Sequence, residues 1–275
     1  MRDAPSPAID APDSPDGPDD VSERISTGLV GFWRFDENGG QVVSDVMPPP
    51  VGKSAMRLTI ANPAAVAWVP GGLRLNERVA GGILSAKRPY LNDRVINDTG
   101  AVTLEVWVST ANVTQGTGVD QGQPNYALIF GTSATFVYRN ATINQVGDRW
   151  QGRVGTLATS GNGVPAINGP AGGIVVDTPT HLTLVASATE RVLYINGEPF
   201  MSDPSGIGPI QGQRPTTPPT DIWDRDYKLT IGDEVSGISD RHWLGTIWLA
   251  AAYDRALTQD EVRQNFVAGH SCNGC

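Results

Sequence analysis

Two segments of this chain alternate apolar and polar residues with a period of two, and that period constrains the fold more than any other feature. In Thr103–Val108, Leu104, Val106 and Val108 fall on one face and Thr103, Glu105 and Trp107 on the other, as in a half-buried strand. His181–Ala186 and Arg191–Ile195 form a hairpin that turns at Ala188, Thr189 and Glu190. Asn196-Gly197 supplies the next turn, because both residue types tolerate positive φ at a two-residue hairpin loop. Glu198-Pro199-Phe200 then leads back as a short edge strand, where a proline does least harm.

Further runs fit the same plan. Leu29–Phe35 is β-rich and ends in Asp36, Glu37, Asn38, Gly39 and Gly40, a strong turn. Tyr126–Phe130, Gln151–Leu157 and Tyr227–Gly232 are strand candidates, and Trp243–Tyr253 is apolar on both faces and so expected at the centre of a sheet. Trp33, Trp107 and Trp243 sit within these patterns and are expected in the core; Trp68, Trp150 and Trp223 lie nearer turns. With 32 Gly, 21 Pro and 18% charged residues, the composition favours short strands joined by turns, and 275 residues suit one large sandwich. One helix stands out. Thr258-Gln259-Asp260-Glu261 is a capping box preceded by Leu257, and Val262 and Phe266 fall four apart behind it. Residues 201–225, rich in Gly, Pro and Thr, read as a long loop of the kind that is functional or mobile.

The ends differ from the middle. The first twenty residues hold six Asp and five Pro with little to bury, so residues 1–25 are expected to be a disordered tether, 26–269 the folded domain and 270–275 a tail. An Asp/Pro-rich start of this kind resembles the linker behind the lipid-bearing cysteine of bacterial surface lipoproteins, which implies a secreted, cell-surface or periplasmic protein tethered at its N-terminus. Cys272 and Cys275 form a C-x-x-C; a small-ring disulfide or two free thiols is expected, since a zinc site with His270 lacks a fourth ligand and haem attachment needs a following His.

Several functions are disfavoured. A net charge of −9 without a Lys/Arg cluster argues against nucleic acid, and no run of about 18 apolar residues is available to span a membrane. A retaining glycosidase on a sandwich needs two carboxylates about 5–5.5 Å apart on one strand face. The best strand offers Glu105 alone, Arg149–Arg153 offers none, and Gly-x-Ser-x-Gly is absent, so no catalytic residue is assigned. His181, His242 and His270 show no ligand spacing and are expected at strand edges or the surface.

Two binding sites remain open. Asp36, Glu37, Asn38 and Asp45, and again Asp233, Glu234 and Asp240, gather the hard oxygens that a structural Ca²⁺ takes; ordinary turn chemistry is the alternative. Trp223 is flanked by Asp224, Arg225 and Asp226, so it could stack on a sugar while its neighbours bond the hydroxyls, with Arg139 and Arg149 on the same rim. The alternative is that Trp223 anchors its own loop.

The ordered pieces GLVGFWRFDE (28–37), VTLEVWV (102–108), LYINGE (193–198), GTIWLAAAYDRALTQDEV (245–262) and NFVAG (265–269) together resemble the laminin-G-like, concanavalin A-like jelly-roll domains of bacterial surface proteins. That resemblance implies an all-β, two-sheet antiparallel sandwich with one short C-terminal helix, and ligands on the concave sheet or rim loops. It also implies a role as a non-catalytic extracellular module for a glycan or a partner protein, with a structural calcium in some relatives. The acidic pair that relatives often carry after the Gly-x-Ile is replaced here by Trp248-Leu249. The variant resembles a branch found beside cytochrome-type domains, which keeps open a structural role in a larger surface or haem-containing protein; a divergent glycosidase is the remaining alternative. A monomer is expected.

Overall fold

The computed structural model describes residues 24–270, apart from 79–82, 86–88, 121–122, 136–137, 203–207, 209, 211–212, 215–219, 222 and 236–240. Its strands, numbered in chain order, make two eight-stranded antiparallel sheets. The first runs β16 (Glu198–Ser202), β15 (Arg191–Ile195), β14 (Thr180–Ala186), β7 (Val102–Thr110), β20 (Gly245–Tyr253), β5 (Gly72–Leu75) and β4 (Val66–Val69), with β1 (Leu29–Trp33) also on β20. The second runs β13 (Ile167–Asn168), β12 (Arg149–Val154), β11 (Tyr138–Val146), β10 (Ala127–Thr135), β19 (Lys228–Ile231), β6 (Ile83–Leu84), β3 (Leu58–Ile60) and β2 (Val42–Val43). Two small ribbons, β8 (Val119–Asp120) with β9 (Gln123–Pro124) and β17 (Gln213–Arg214) with β18 (Thr220–Asp221), complete the strands. The expected two-sheet antiparallel jelly-roll sandwich is the fold.

The local signals act as expected where they are strong. In the β14–β15 hairpin Leu182 pairs with Ile195 and Ala186 with Arg191, and Asn196 (φ 53°) and Gly197 (φ 80°) turn the chain into β16. The apolar strand β20 lies between β7 and β5. Leu104, Val106 and Val108 of β7 point between the sheets, where they meet Leu182, Leu184, Ile143, Trp150, Leu229 and Ile231 in one core. Trp33, Trp150, Trp223 and Trp243 are fully buried there. Burial of one such side chain contributes roughly 2 kcal/mol or more, so the core closes without a covalent bridge.

The other face of the first sheet departs from expectation. Instead of meeting water, β7 is buried on both sides. Phe32, Trp107, Val185, Tyr194, Leu249 and Tyr253 form a second apolar layer beneath Leu257 and Val262, with Ile25 and Phe266 packed against it. The cover is α2 (Gln259–Ala268), whose capping box forms as read: Glu261 N donates to Thr258 Oγ1 (3.3 Å) and Thr258 N donates to Glu261 Oε2 (2.8 Å). Trp107 stacks on Phe266 at 5.7 Å with the rings 9° from parallel. Arg24 and Ile25, read as the end of the tether, are pinned against this helix: Ile25 N donates to Asn265 Oδ1 (2.9 Å) and Arg24 Nη2 to Gly269 O (2.6 Å).

Several elements have no clear signal in the sequence, among them β2 to β6, β11, β13 and a second helix. That helix, α1 (Tyr90–Arg94), runs into a π-helical turn over Val95–Thr99 and stops at Gly100 (φ 62°), so the described residues hold two α-helices where one was expected. The α1 helix is too short to show a helical period. The sequence of β11, YRNATINQV, is too polar to read as a strand, although it pairs along its length with β10 and β12. Among the described residues no helix is long and apolar enough to cross a membrane.

Candidate functional site

At one end of the sandwich a groove of about 530 Å³ opens between β1, the segment following Met47, and α1 with its π turn. Its lining mixes apolar Leu29, Val30, Pro48, Pro50, Val51 and Tyr90 with polar Lys53, Asp93, Arg94, Asn97, Asp98 and Asp254. The Tyr90 hydroxyl donates to Val30 O; burial, then Asp45 and Asp254, push the phenol up to about 12, so it stays a donor. Among the polar groups Lys53 Nζ lies 3.1 Å from Asp93 Oδ2, and Arg94 holds Asp254 through Nε (2.7 Å) and Nη2 (2.6 Å) and Asp98 through Nη1 (3.0 Å). Arg225 reaches in from the next loop, with Nη1 3.1 Å from Asp93 Oδ1 and Nη2 2.8 Å from Asn97 Oδ1. Lys53, Arg94 and Arg225 therefore balance Asp93, Asp98 and Asp254.

The loop bearing Arg225 is fixed from below. Trp223 is 1% exposed and donates from Nε1 to Gly155 O (2.9 Å), so it is the anchor of its loop and offers no ring for a sugar to stack on. Asn140 grips Asp224 through both ends of its amide, each at 2.9 Å, and Asn92 Nδ2 donates to Tyr227 O (3.0 Å). Asp224 and Asp226 are exposed beside Arg225, with Asp226 N donating to Asp224 Oδ1 (2.8 Å). Of the residues expected on one rim, Arg225 alone joins the groove network. Arg149 is half-exposed beside Asp148 and does not line the groove.

Arg139 is a second correction: it is buried in β11, not on the rim. The guanidinium carbons of Arg139, Arg153 and Arg241 lie 4.6, 4.3 and 4.0 Å from the centre of the Tyr126 ring. Burial and the neighbouring arginines bring Arg139 down to about 9 and Arg153 to about 10, with Glu234 opposing. Glu234 accepts from Ser133 Oγ (2.6 Å) and Tyr126 Oη and lies 3.3 Å from Arg139 and 3.5 Å from Arg241.

Those contacts also answer the calcium expectation. Glu234 is satisfied by its arginines, and Asp233 pairs with Arg78 at 3.2 Å. Asp45 accepts from the backbone N–H groups of Phe32 (3.0 Å), Met47 (3.0 Å) and Met56 (3.1 Å), and burial still raises its carboxyl against the pull of those bonds. Asp36 pairs with Arg34 (2.9 Å), Glu37 accepts from Ser44 N (2.6 Å) and Asn38 Nδ2 donates to Asp36 O (2.7 Å). Among the described residues no group of three or more His, Cys, Asp or Glu is placed to hold a metal. Donors already lie on both oxygens of Asp45, Asp233 and Glu234, whereas Glu37 Oε2 is buried without a hydrogen-bond partner, so calcium would have to displace partners at three of these carboxylates. Asp240, Cys272 and Cys275 lie outside the described residues.

Glu105 and His181 are the remaining surprises. His181, expected at an edge, is fully buried with Nε2 3.0 Å from Glu105 Oε1. Glu105 also binds Arg24 Nη1, Asn265 Nδ2 (2.8 Å) and the Tyr253 hydroxyl (3.4 Å). Burial alone would raise its carboxyl, but Arg24 and His181 outweigh it and hold Glu105 at about 2. Held ionised among these partners, Glu105 is a buried anion that joins Arg24, His181, Tyr253 and Asn265.

Residues 88–263 match the model of a family described as the concanavalin A-like lectin/glucanases superfamily. No curated protein matches the sequence. Among solved structures, Trypanosoma rangeli sialidase in complex with sialic acid is similar at a TM-score of 0.60 and 18% identity, over 89% of this chain and 33% of that one. The ligand binding domain of botulinum neurotoxin serotype D, in complex with N-acetylneuraminic acid, is similar at 0.53 and 8% identity, over 88% of this chain and 51% of that one. The chain thus spans a third of the length of the sialidase and half that of the toxin domain.

Proposed function

The chain belongs to the concanavalin A-like lectin/glucanases superfamily, and from that premise we propose that it is a non-catalytic, monomeric glycan-binding module, exported and held at a bacterial surface by its Asp/Pro-rich N-terminal segment. The observation that carries this reading is the groove's mixed lining of apolar side chains and ion-paired polar ones. A pyranose ring is itself two-sided, with an apolar C–H face and a hydroxyl edge. Its face suits Pro48, Pro50, Val51 and Tyr90; its hydroxyls, which both donate and accept, suit the paired cations and carboxylates. The equal numbers of opposite charges favour an uncharged ligand over a phosphate-rich one. Binding of sialic acids by the sialidase and the toxin domain is consistent with a sugar ligand.

The same polar groups support a binding role. Asp93, Asp98 and Asp254 are each tied to a cation, which fixes their oxygens in place as hydrogen-bond acceptors for hydroxyls. The test is a glycan array probed with the wild type and with the Lys53→Ala/Asp98→Ala double variant, whose positions are half-exposed. Saturable binding of a saccharide, weakened about tenfold or more in the variant at unchanged Tm, is expected. An array with no binding, or release of reducing sugar from a bound polysaccharide, would overturn the proposal.

A further inference from the structure

We infer that Arg225 is a positioning residue that sets the hydrogen-bonding polarity of the groove, and that the glycan it favours carries a neutral carbonyl substituent of the acetamido type. This inference rests on the glycan-binding reading of the groove. A guanidinium has donors and no acceptor. With Arg225 Nη2 2.8 Å from the Asn97 amide, the amide must turn its oxygen to the arginine. Its nitrogen, with two N–H donors, is then the free end of a side chain that lines the groove. Arg225 acts on Asp93 as well. Its Nη1 takes Oδ1 at 3.1 Å while Lys53 takes Oδ2 at 3.1 Å, so both oxygens of that carboxylate are engaged. The Asn97 amide nitrogen and Lys53 therefore add N–H donors to this part of the lining, beside an Asp93 whose oxygens each already accept one bond.

The consequence is selective. A sugar hydroxyl can rotate to donate or to accept, so these donors do not distinguish one hydroxyl from another. A carbonyl oxygen only accepts, and it answers them without competition from water-like rearrangement. A carboxylate accepts too, but three cations facing three carboxylates leave no net charge to draw it in. Arg225 can hold this arrangement rigidly because its loop is nailed down at Trp223 and Asp224.

Calorimetric titration of the full chain with three tetrasaccharides tests this. Chitotetraose and cellotetraose share a backbone and differ only in the acetamido groups; tetragalacturonate supplies carboxylates. Chitotetraose should bind about tenfold tighter than either of the others. Arg225→Ala and Asn97→Ala should each cost about fivefold on chitotetraose at unchanged Tm, and the double variant no more than either, because Arg225 acts through Asn97. Arg225→Lys, which keeps the charge but loses the fork, should fall between and covers the case in which the alanine variant is unstable. Asn97→Asp, which turns an acceptor into the groove, should erase the preference. Equal binding of chitotetraose and cellotetraose, tighter binding of the uronate, or additive losses in the double variant would overturn the inference. A saccharide that still binds the array through the groove would leave the glycan reading intact in that event; an empty array would remove both.

Discussion

At the scale of single residues, the buried carboxylates Glu105, Asp233 and Glu234 do different work from the exposed ones. Glu105 ties three separate parts of the chain together, since its partners Arg24, His181 and Asn265 lie 81, 76 and 160 positions away. Its folded value of about 2 stands below the ordinary 4.5, so it stabilises the fold above about pH 4.5 and that contribution fades as pH falls toward 2. Glu105→Gln should cost about 3 kcal/mol near neutrality and flatten the loss of stability between pH 4.5 and 2, both read from urea unfolding at a series of pH values. A variant as stable as wild type at pH 7 would show that the pair contributes nothing. Glu234 and Asp233 belong to the same argument: arginines already lie against their oxygens, which a cation would have to displace. Addition of EDTA should therefore leave Tm unchanged, and a shift of several degrees would reinstate the calcium site. None of this could be read from the residues in order. Asp233-Glu234 in sequence looks like a metal loop, and only the return of β10, β11 and the segment at Arg241 brings the cations that neutralise it.

At the scale of elements, what was legible is what is local. The β14–β15–β16 meander follows from alternation and an Asn-Gly turn, and α2 follows from a capping box, each within a dozen or so residues. Period-two patterning placed Leu104, Val106 and Val108 inward correctly, but it made the strand half-buried and gave no sign of what covers Glu105 and Trp107 on the other face. The second apolar layer exists because α2 folds back over the sheet, a fact carried by residues 150 positions downstream. Capping of α2 therefore matters beyond the helix itself. Thr258→Ala removes the acceptor for Glu261 N, while the Glu261 carboxylate, held down at about 2, keeps its bonds to Arg255 and to the backbone N at position 258. The expected cost is about 1 kcal/mol, with Thr258→Asn near neutral, measured by thermal or denaturant melts. Equal losses for both substitutions would place the effect in packing and not in the cap.

At the scale of the molecule, the groove and the chain ends are both products of long-range closure. The groove draws on residues 28–30, 48–53, 90–98 and 254, joined by Arg225, so no contiguous motif announces it, and the aromatic that did stand out, Trp223, serves it only from beneath. The ends meet in the same fashion: Arg24 Nη2 lies 2.6 Å from Gly269 O, and Ile25 N lies 2.9 Å from Asn265 Oδ1. Joining residue 269 to residue 24 with a short Gly/Ser linker therefore asks nothing new of the native state. The turn at Ala188-Thr189, exposed at the tip of the β14–β15 hairpin, is a suitable place to open the chain. Such a permutant keeps every core contact and the Arg24–Glu105 pair, but it converts the most local hairpin of the first sheet into a pairing between distant segments. Loop-closure entropy then has to be met before that pairing forms, which slows folding more than it speeds unfolding. The permutant should unfold cooperatively, keep its saccharide affinity within about twofold, and fold about tenfold more slowly with an unfolding rate near that of wild type, as stopped-flow refolding and unfolding would register. A large rise in the unfolding rate would mean that the native sandwich depends on an intact 186–191 connection, and that the contacts at its chain ends are not what closes it.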